Sequence, residues 1–360
     1  MTRSIYFTAG FVALLGATIW FALAGWPATD ATTTATIALL QSGSPFDGPG
    51  SITVMGMGGM IVTNAALEAI RKTFRQDYQE SFETAESFWA KVAMLVMSST
   101  GSNTYGWLGQ WPKFREWTGD RVFKDLKEHA YELANRKFES SVEVGRDQIE
   151  DDNLGVYTPM FREMGRAAAV FPDELLAEII LAGETGLCYD GQPFFDTEHP
   201  VYPNVDGTGS ADLVSNLTGA GSNPAWYLLD TKRSVKPFIY QLRRKMEFTS
   251  MDRLDDEQVF MSDTFRYGVS TRAEAGYGLW QMARKSTLAV SAANFEAERL
   301  AMRQVKADGG RPMGITPNLV MCGPELEPAF EKILKAQLTD SGNTNTNYGK
   351  CELLVVDWLG

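Results

Sequence analysis

Between residues 149 and 206 the pattern of apolar positions divides the chain into a rod and a turn. Leu154, Tyr157, Phe161, Met164, Ala168, Phe171 and Leu175 recur at spacings of three and four, the period of one apolar face on a helix. Asp151, Asp152 and Asn153 offer the short acceptors and negative charge that suit a helix start. Pro159 fits a first turn, whereas Pro172 is expected to kink the rod or restart it with Asp173 and Glu174 as new N-terminal charges. The pattern predicts a long, bent helix with Tyr157, Phe161, Met164 and Ala168 on its inner face. After it, Gly183, Gly186, Gly191, Pro193, Pro200 and Pro203 punctuate an aromatic run of Tyr189, Phe194, Phe195 and Tyr202, which reads as an ordered turn.

Elsewhere the periodicity is weaker. Ala66, Leu67, Ile70, Phe74, Tyr78 and Phe82 predict a helix within 64–90, capped by Asn64, and Lys91 to Met97 reads as a strand. A Gly/Ser/Asn-rich connection follows, carrying Trp107, Trp111, Phe114 and Trp117. Those rings either plug the domain's own core or anchor a neighbouring surface, two roles in which Trp is common. Tyr131, Leu133, Phe138, Val142 and Val144 alternate with a phase change that predicts a bulge near 135–137. Further on, strands are expected at Val235–Tyr240, Leu319–Cys322 and within 351–358, and helices at Phe295–Val305 and Glu325–Leu338. Asp308-Gly309-Gly310 is expected to close the first of these helices. The cluster Arg243, Arg244 and Lys245 reads as a solvated face or as a contact for acids on a neighbouring subunit.

Residues 1–59 differ from the rest. Arg3 and an apolar run from Ile5 to Phe21, then Ala22-Leu23-Ala24, have the form of a secretory signal or a single membrane anchor, and a Thr/Ala/Ser/Gly-rich linker follows. The remaining reading is an upstream extension of a subunit whose functional start is Met60.

A chain of 360 residues, 44% of them hydrophobic, is long enough for two or three domains with a substantial core. A net charge of −12 argues against a general nucleic-acid binder. Cys188, Cys322 and Cys351 form no metal-type spacing and read as reduced thiols. With only His129 and His199 present, acid–base catalysis has few carriers. Asp190, Asp196, Glu198 and His199 lie close together and admit a metal or hydrolase reading. A hydrogen-bonded structural turn built on Asp190, Asp196 and His199 explains them more simply. No phosphate loop, nucleophile elbow or C-x-x-C is present, so neither a catalytic residue nor a cofactor is expected.

The ordered series S-S-T-G-S-N-T-Y-G-W-L-G (98–109), I-E-D-D-N-L-G-V-Y (149–157), C-Y-D-G-Q-P-F-F-D-T-E-H-P-V-Y-P-N-V-D-G-T-G-S (188–210), V-K-P-F-I-Y-Q (235–241) and A-G-Y-G-L-W-Q-M-A (275–283) resembles the major head (capsid) subunit of Mu-like phages and prophages, from about Met60 onward. The resemblance implies an α+β, HK97-like capsid fold. Its parts would be an N-terminal arm and first strand (60–98), an extended loop (99–134), a peripheral domain with the long spine helix (135–209, joined by a returning strand from 351–360) and an axial domain (210–350). It implies that Trp107, Trp111, Phe114 and Trp117 touch a neighbouring subunit. It further implies a non-enzymatic subunit that assembles in the bacterial host cytoplasm into pentamers and hexamers of a virion shell. That shell would enclose double-stranded DNA without sequence-specific binding, and its partners would include a scaffold, a protease and other head proteins. A lysine–asparagine crosslink is not expected, although Lys113 and Lys124 lie in the loop. The competing classes are a secreted or membrane-anchored metal-dependent hydrolase and an encapsulin-type nanocompartment shell.

Overall fold

The structure, a computed structural model, describes residues 62–108, 131–151, 153–205, 207–219, 221 and 223–360. The apolar N-terminal run and Trp111, Phe114 and Trp117, with Lys113 and Lys124, lie outside the described residues. Within them no helix is long and apolar enough to cross a membrane.

In chain order, helix α1 (Asn64–Thr84) leads to strand β1 (Ala93–Met97), strand β2 (Arg136–Gly145) and helix α2 (Thr158–Leu181). Strands β3 (Leu217–Thr218), β4 (Trp226–Leu229), β5 (Phe238–Met251), β6 (Thr264–Tyr277) and β7 (Ala283–Ser286) follow. Helix α3 (Ala292–Arg303), strand β8 (Leu319–Cys322), helix α4 (Glu327–Leu334) and strand β9 (Glu352–Val355) complete the series.

Two sheets organise these elements. The first has four strands in the order β1-β5-β6-β2, with β1 parallel to β5 and the other pairs antiparallel. One face of it is apolar: Phe265, Tyr267 and Val269 alternate inward along β6 and meet α1 and α2. The second has five strands in the order β9-β8-β4-β7-β3, and all four residues of both β4 and β8 are buried. Such fully apolar strands belong at a sheet's centre. A single large cluster of buried side chains continues from this sheet to the C-terminal half of α2 and the near ends of β1, β5 and β6.

Several expectations are displaced for identifiable reasons. The spine helix begins at Thr158, with Pro159 in its first turn; residues 146–150 and 153–156 form separate short helical turns before it. Pro172 lies inside the helix without ending it. Asp173 does not cap a restarted helix. It is 1% exposed, and its carboxylate accepts hydrogen bonds from Ser87 Oγ at 2.9 Å and from the backbone N–H groups of Phe88 at 3.1 Å and Trp89 at 2.7 Å. A cap for the chain entering β1 thus comes from α2. Burial nevertheless pushes the Asp173 carboxyl above the usual range, with those donors acting against it.

The phase change near Asn135 is a change of partner, not a bulge. Residues 132–134 pair with 102–104, whereas β2 pairs with β6. Asn135 spans the break, its side-chain amide donating to Ser98 Oγ and to the carbonyls of Thr100 and Gly101. α1 is capped by Thr63, whose hydroxyl accepts from the Ala66 N–H, while Asn64 accepts from the Leu254 N–H. α3 ends at Arg303; Gly309 and Gly310, both at positive φ, turn a small hairpin between 306–307 and 311–312 instead.

The C-terminal strand does not return to the sheet under the spine helix. β9 pairs in parallel with β8, from Leu319 opposite Glu352 to Cys322 opposite Val355, with α4 as the crossover. A strand, a helix and a parallel strand form one local unit, so β9 finds its partner nearby in the chain. Conversely β5 and β6, within the span expected to be axial, form the centre of the first sheet beside β1 and β2.

α1 and α2 cross at Gly165, where an added Cβ would lie 2.2 Å from the Tyr78 carbonyl oxygen. The obstruction is backbone, so it cannot rotate away. Gly165→Ala is expected to force the helices apart and destabilise the subunit by about 1–3 kcal/mol, as overpacking does. Urea denaturation measures this, and an unchanged midpoint would place the helices farther apart than described.

Candidate functional site

The chain from Gly183 to His199 folds as a turn that brings together Asp190 and His199 of the expected set but not Asp196. Gly191 takes a left-handed φ of 83°, and the Gly191 N–H donates to the Cys188 carbonyl at 3.1 Å. This tight turn sets Asp190 among three donors. Asp190 Oδ2 accepts from His199 Nδ1 at 2.8 Å, and Oδ1 accepts from Cys188 Sγ at 3.0 Å and from the Gln192 N–H at 3.1 Å. His199 is wholly buried, its ring stacked on Trp280 with centroids 4.0 Å apart.

Asp196 and Glu198 go elsewhere. Asp196 accepts from the Thr197 N–H, its own N–H donates to Asn216 Oδ1 at 2.9 Å, and Glu198 is exposed. Asn216, 2% exposed, ties the turn to the second sheet by donating to the Phe194 carbonyl at 2.8 Å and to the Ala283 carbonyl of β7 at 3.4 Å. Sequence reasoning passed over Asn216, because S-N-L-T reads as loop and its partners lie far along the chain.

The thiol of Cys188, the Asp190 carboxylate and a ring nitrogen of His199 lie within 4.8 Å of one another, the spacing of a possible metal set. Their chemistry fits a hydrogen-bonded pin better. Burial drives the Cys188 thiol far above its ordinary range, with the Asp190 charge acting the same way, so the thiol keeps its proton and donates it to Asp190. Burial also acts to raise the Asp190 carboxyl, but the His199 and Cys188 donors outweigh it and hold it below the usual carboxylate range. The result is one ionised acceptor shared by two buried donors.

On the spine helix, Tyr157, Phe161 and Met164 are buried and Ala168 is partly buried against Tyr78, Met164 and Val269. Phe161 stacks on Phe74 of α1 with centroids 4.0 Å apart.

The surface shows a different chemistry. Trp107 is 43% exposed and follows Tyr105, which is buried and donates through its hydroxyl to Gln241 Oε1 at 2.6 Å. The connection is thus pinned at Tyr105 and presents Trp107 outward. Phe260 and Met261 are 86% and 73% exposed in the turn between β5 and β6. They were not singled out in the sequence, although V-F-M in a one-turn helix is a legible signal, since a helix that short buries one of three successive apolar residues. Here it buries Val259. Exposed aromatic and Met side chains of this kind suit contact with another protein surface.

Comparison with known proteins gives a consistent result. Residues 67–359 match the family model of the Mu-like prophage major head subunit gpT. The major capsid protein of Escherichia phage Mu is 48% identical over 305 residues, covering 83% of this chain and 100% of that protein. The Mu-like prophage FluMu major head subunit of Haemophilus influenzae is 42% identical over 305 residues, covering 83% of this chain and 99% of that protein. Among solved structures, the subunit in the procapsid of bacteriophage JBD30 matches with a TM-score of 0.74 and 51% identity, over 82% of this chain and 100% of that one. The JBD30 capsid matches with a TM-score of 0.67 and 35% identity, over 84% and 100%. A spine helix laid on a four-stranded sheet and a second sheet of buried strands are therefore those of an HK97-like capsid protein, and the chain belongs to the Mu-like prophage major head subunit family.

Proposed function

We propose that copies of this chain close into rings of five and six that tile an icosahedral head around double-stranded DNA. The second sheet and its helices form an axial domain around the ring axes. The first sheet with α2 forms a peripheral domain, and the loop carrying Trp107 overlaps the adjacent copy. Heterologous contacts that close by rotation generate such rings from one kind of surface. The observation that carries this reading is the outward Trp107 on a connection pinned by Tyr105, in a chain whose similar subunits build procapsids and capsids. Each overlap is individually modest, with a buried aromatic side chain contributing about 1.5–3 kcal/mol, so misjoined subunits can separate before the shell closes. The role is structural and not catalytic.

The net charge of −12 supports enclosure of DNA without sequence-specific binding, because a chain with an excess of acids offers no general basic field to hold phosphates. Scaffold, protease and other head proteins are the expected partners. The JBD30 capsid is also known decorated with minor capsid protein trimers, and a comparable outer partner is proposed here.

Trp107→Ala tests the overlap. The variant subunit is expected to keep its melting temperature within about 2 °C, as exposed substitutions do, while assembling at least about tenfold less efficiently in sedimentation, the loss of about 1.4 kcal/mol per contact. A subunit that loses stability and assembles normally would return Trp107 to the chain's own core.

A further inference from the structure

The face of the first sheet turned away from α1 and α2 carries charge in an unusual order. Arg272 of β6 pairs with Lys137 of β2 on one side and with Arg244 of β5 on the other. Directly paired residues point to the same face, so three cations stand in one row with Cβ atoms about 5 Å apart. The register shifts on β5 bring this about: Ser270 pairs with Glu247, Arg272 with Arg244 and Ala273 with Leu242, so extra residues of β5 bulge at 243–246. A bulge re-aims side chains, and here it places Arg244 beside Arg272.

None of the three cations has an acid partner among the described residues. The ion pairs of this sheet are made by others, Arg136 with Glu274 and Arg266 with Glu143. Arg244 Nη2 donates only to Ser270 Oγ, at 2.9 Å, and Arg272 Nε is buried with no hydrogen-bond partner. Like charges directly opposite on adjacent strands destabilise a sheet, so the row is a cost to the isolated subunit that a ligand would relieve.

We infer that the Lys137–Arg272–Arg244 row is the docking face for an extended, carboxylate-bearing segment of a second copy of this chain. The inference rests on the self-assembly proposed above and adds the surface used. Charge complementarity identifies the occupant. The next row on the same face is Glu139, Ser270 and Glu247, so a polyanion such as DNA covering the cations would lie against two carboxylates. A protein segment with charges of both signs can satisfy both rows. At a net charge of −12, a second copy brings an excess of acids.

The test uses the full chain and the variants Lys137→Glu, Arg244→Glu and their combination, followed by sedimentation and by thermal melting of the unassembled subunit. The variants are expected to melt no lower than the parent, because the like-charge row is relieved. Their assembly should fall at least about tenfold, and the parent's assembly should weaken with added salt more steeply than theirs. Variants that assemble like the parent overturn the inference while leaving self-assembly intact. Variants that melt lower overturn it in favour of a role in folding. Normal assembly with lost binding of a short DNA duplex overturns it in favour of nucleic acid. A parent that stays monomeric at every concentration removes the self-assembly reading and this inference with it.

Discussion

Replacing Phe161 by Ala is expected to cost the folded subunit about 3–5 kcal/mol, the scale for emptying a buried aromatic site. The ring has no solvent exposure and touches three elements at once. It stacks on Phe74 of α1 at 4.0 Å, meets Tyr267 of β6 edge-on at 5.4 Å and lies 6.3 Å from Phe248 of β5. None of these neighbours can follow the lost ring, because α1 already rests on α2 at the close crossing at Gly165 and the sheet is held by its own ladder. Met160, one residue earlier and 45% exposed, provides the control: Met160→Ala should stay within about 0.5 kcal/mol. Denaturant unfolding of both variants measures the difference. A small effect at Phe161 would mean that another face of α2 is turned inward.

Asp190→Ala should be nearly as damaging, by about 2–4 kcal/mol, since it leaves the buried His199 Nδ1 and Cys188 Sγ without their common acceptor. Asp190→Asn keeps one carbonyl oxygen and should lose less. The pH dependence follows from the same bonds. The folded carboxyl is held below its unfolded value of about 3.9, so its contribution is fully present above that pH and is lost as pH falls through the lower folded value. The parent should therefore lose stability below about pH 4 more steeply than Asp190→Asn. Equal acid slopes would show that Asp190 is not the ionised centre of the pin.

How much was legible follows the range of the interactions. The inward face of α2 is written in residues three and four apart, and Phe161 and Met164 lie where that period puts them. The turn at Asp190 is equally local, its partners being two and nine residues away. Strand partnership is not local. Val92, Phe238 and Tyr277 share one core although they are widely separated in the chain, and nothing in their immediate neighbours says so. The family resemblance, which sets β5 and β6 in an axial span and β9 beside the spine helix, therefore meets nothing in the local sequence to correct it. Charge placement was legible only in part. The basic cluster at 243–245 was visible, but its alignment with Arg272 and Lys137 depends on a bulge and two registers. Resemblance supplied what periodicity could not, the capsid fold itself.

Electron microscopy of the expressed 60–360 fragment is the most direct test of whether this polypeptide works by fitting copies of itself. Closed particles with fivefold and sixfold rings of subunits are the expected result. A compact monomer that persists at high concentration would contradict it.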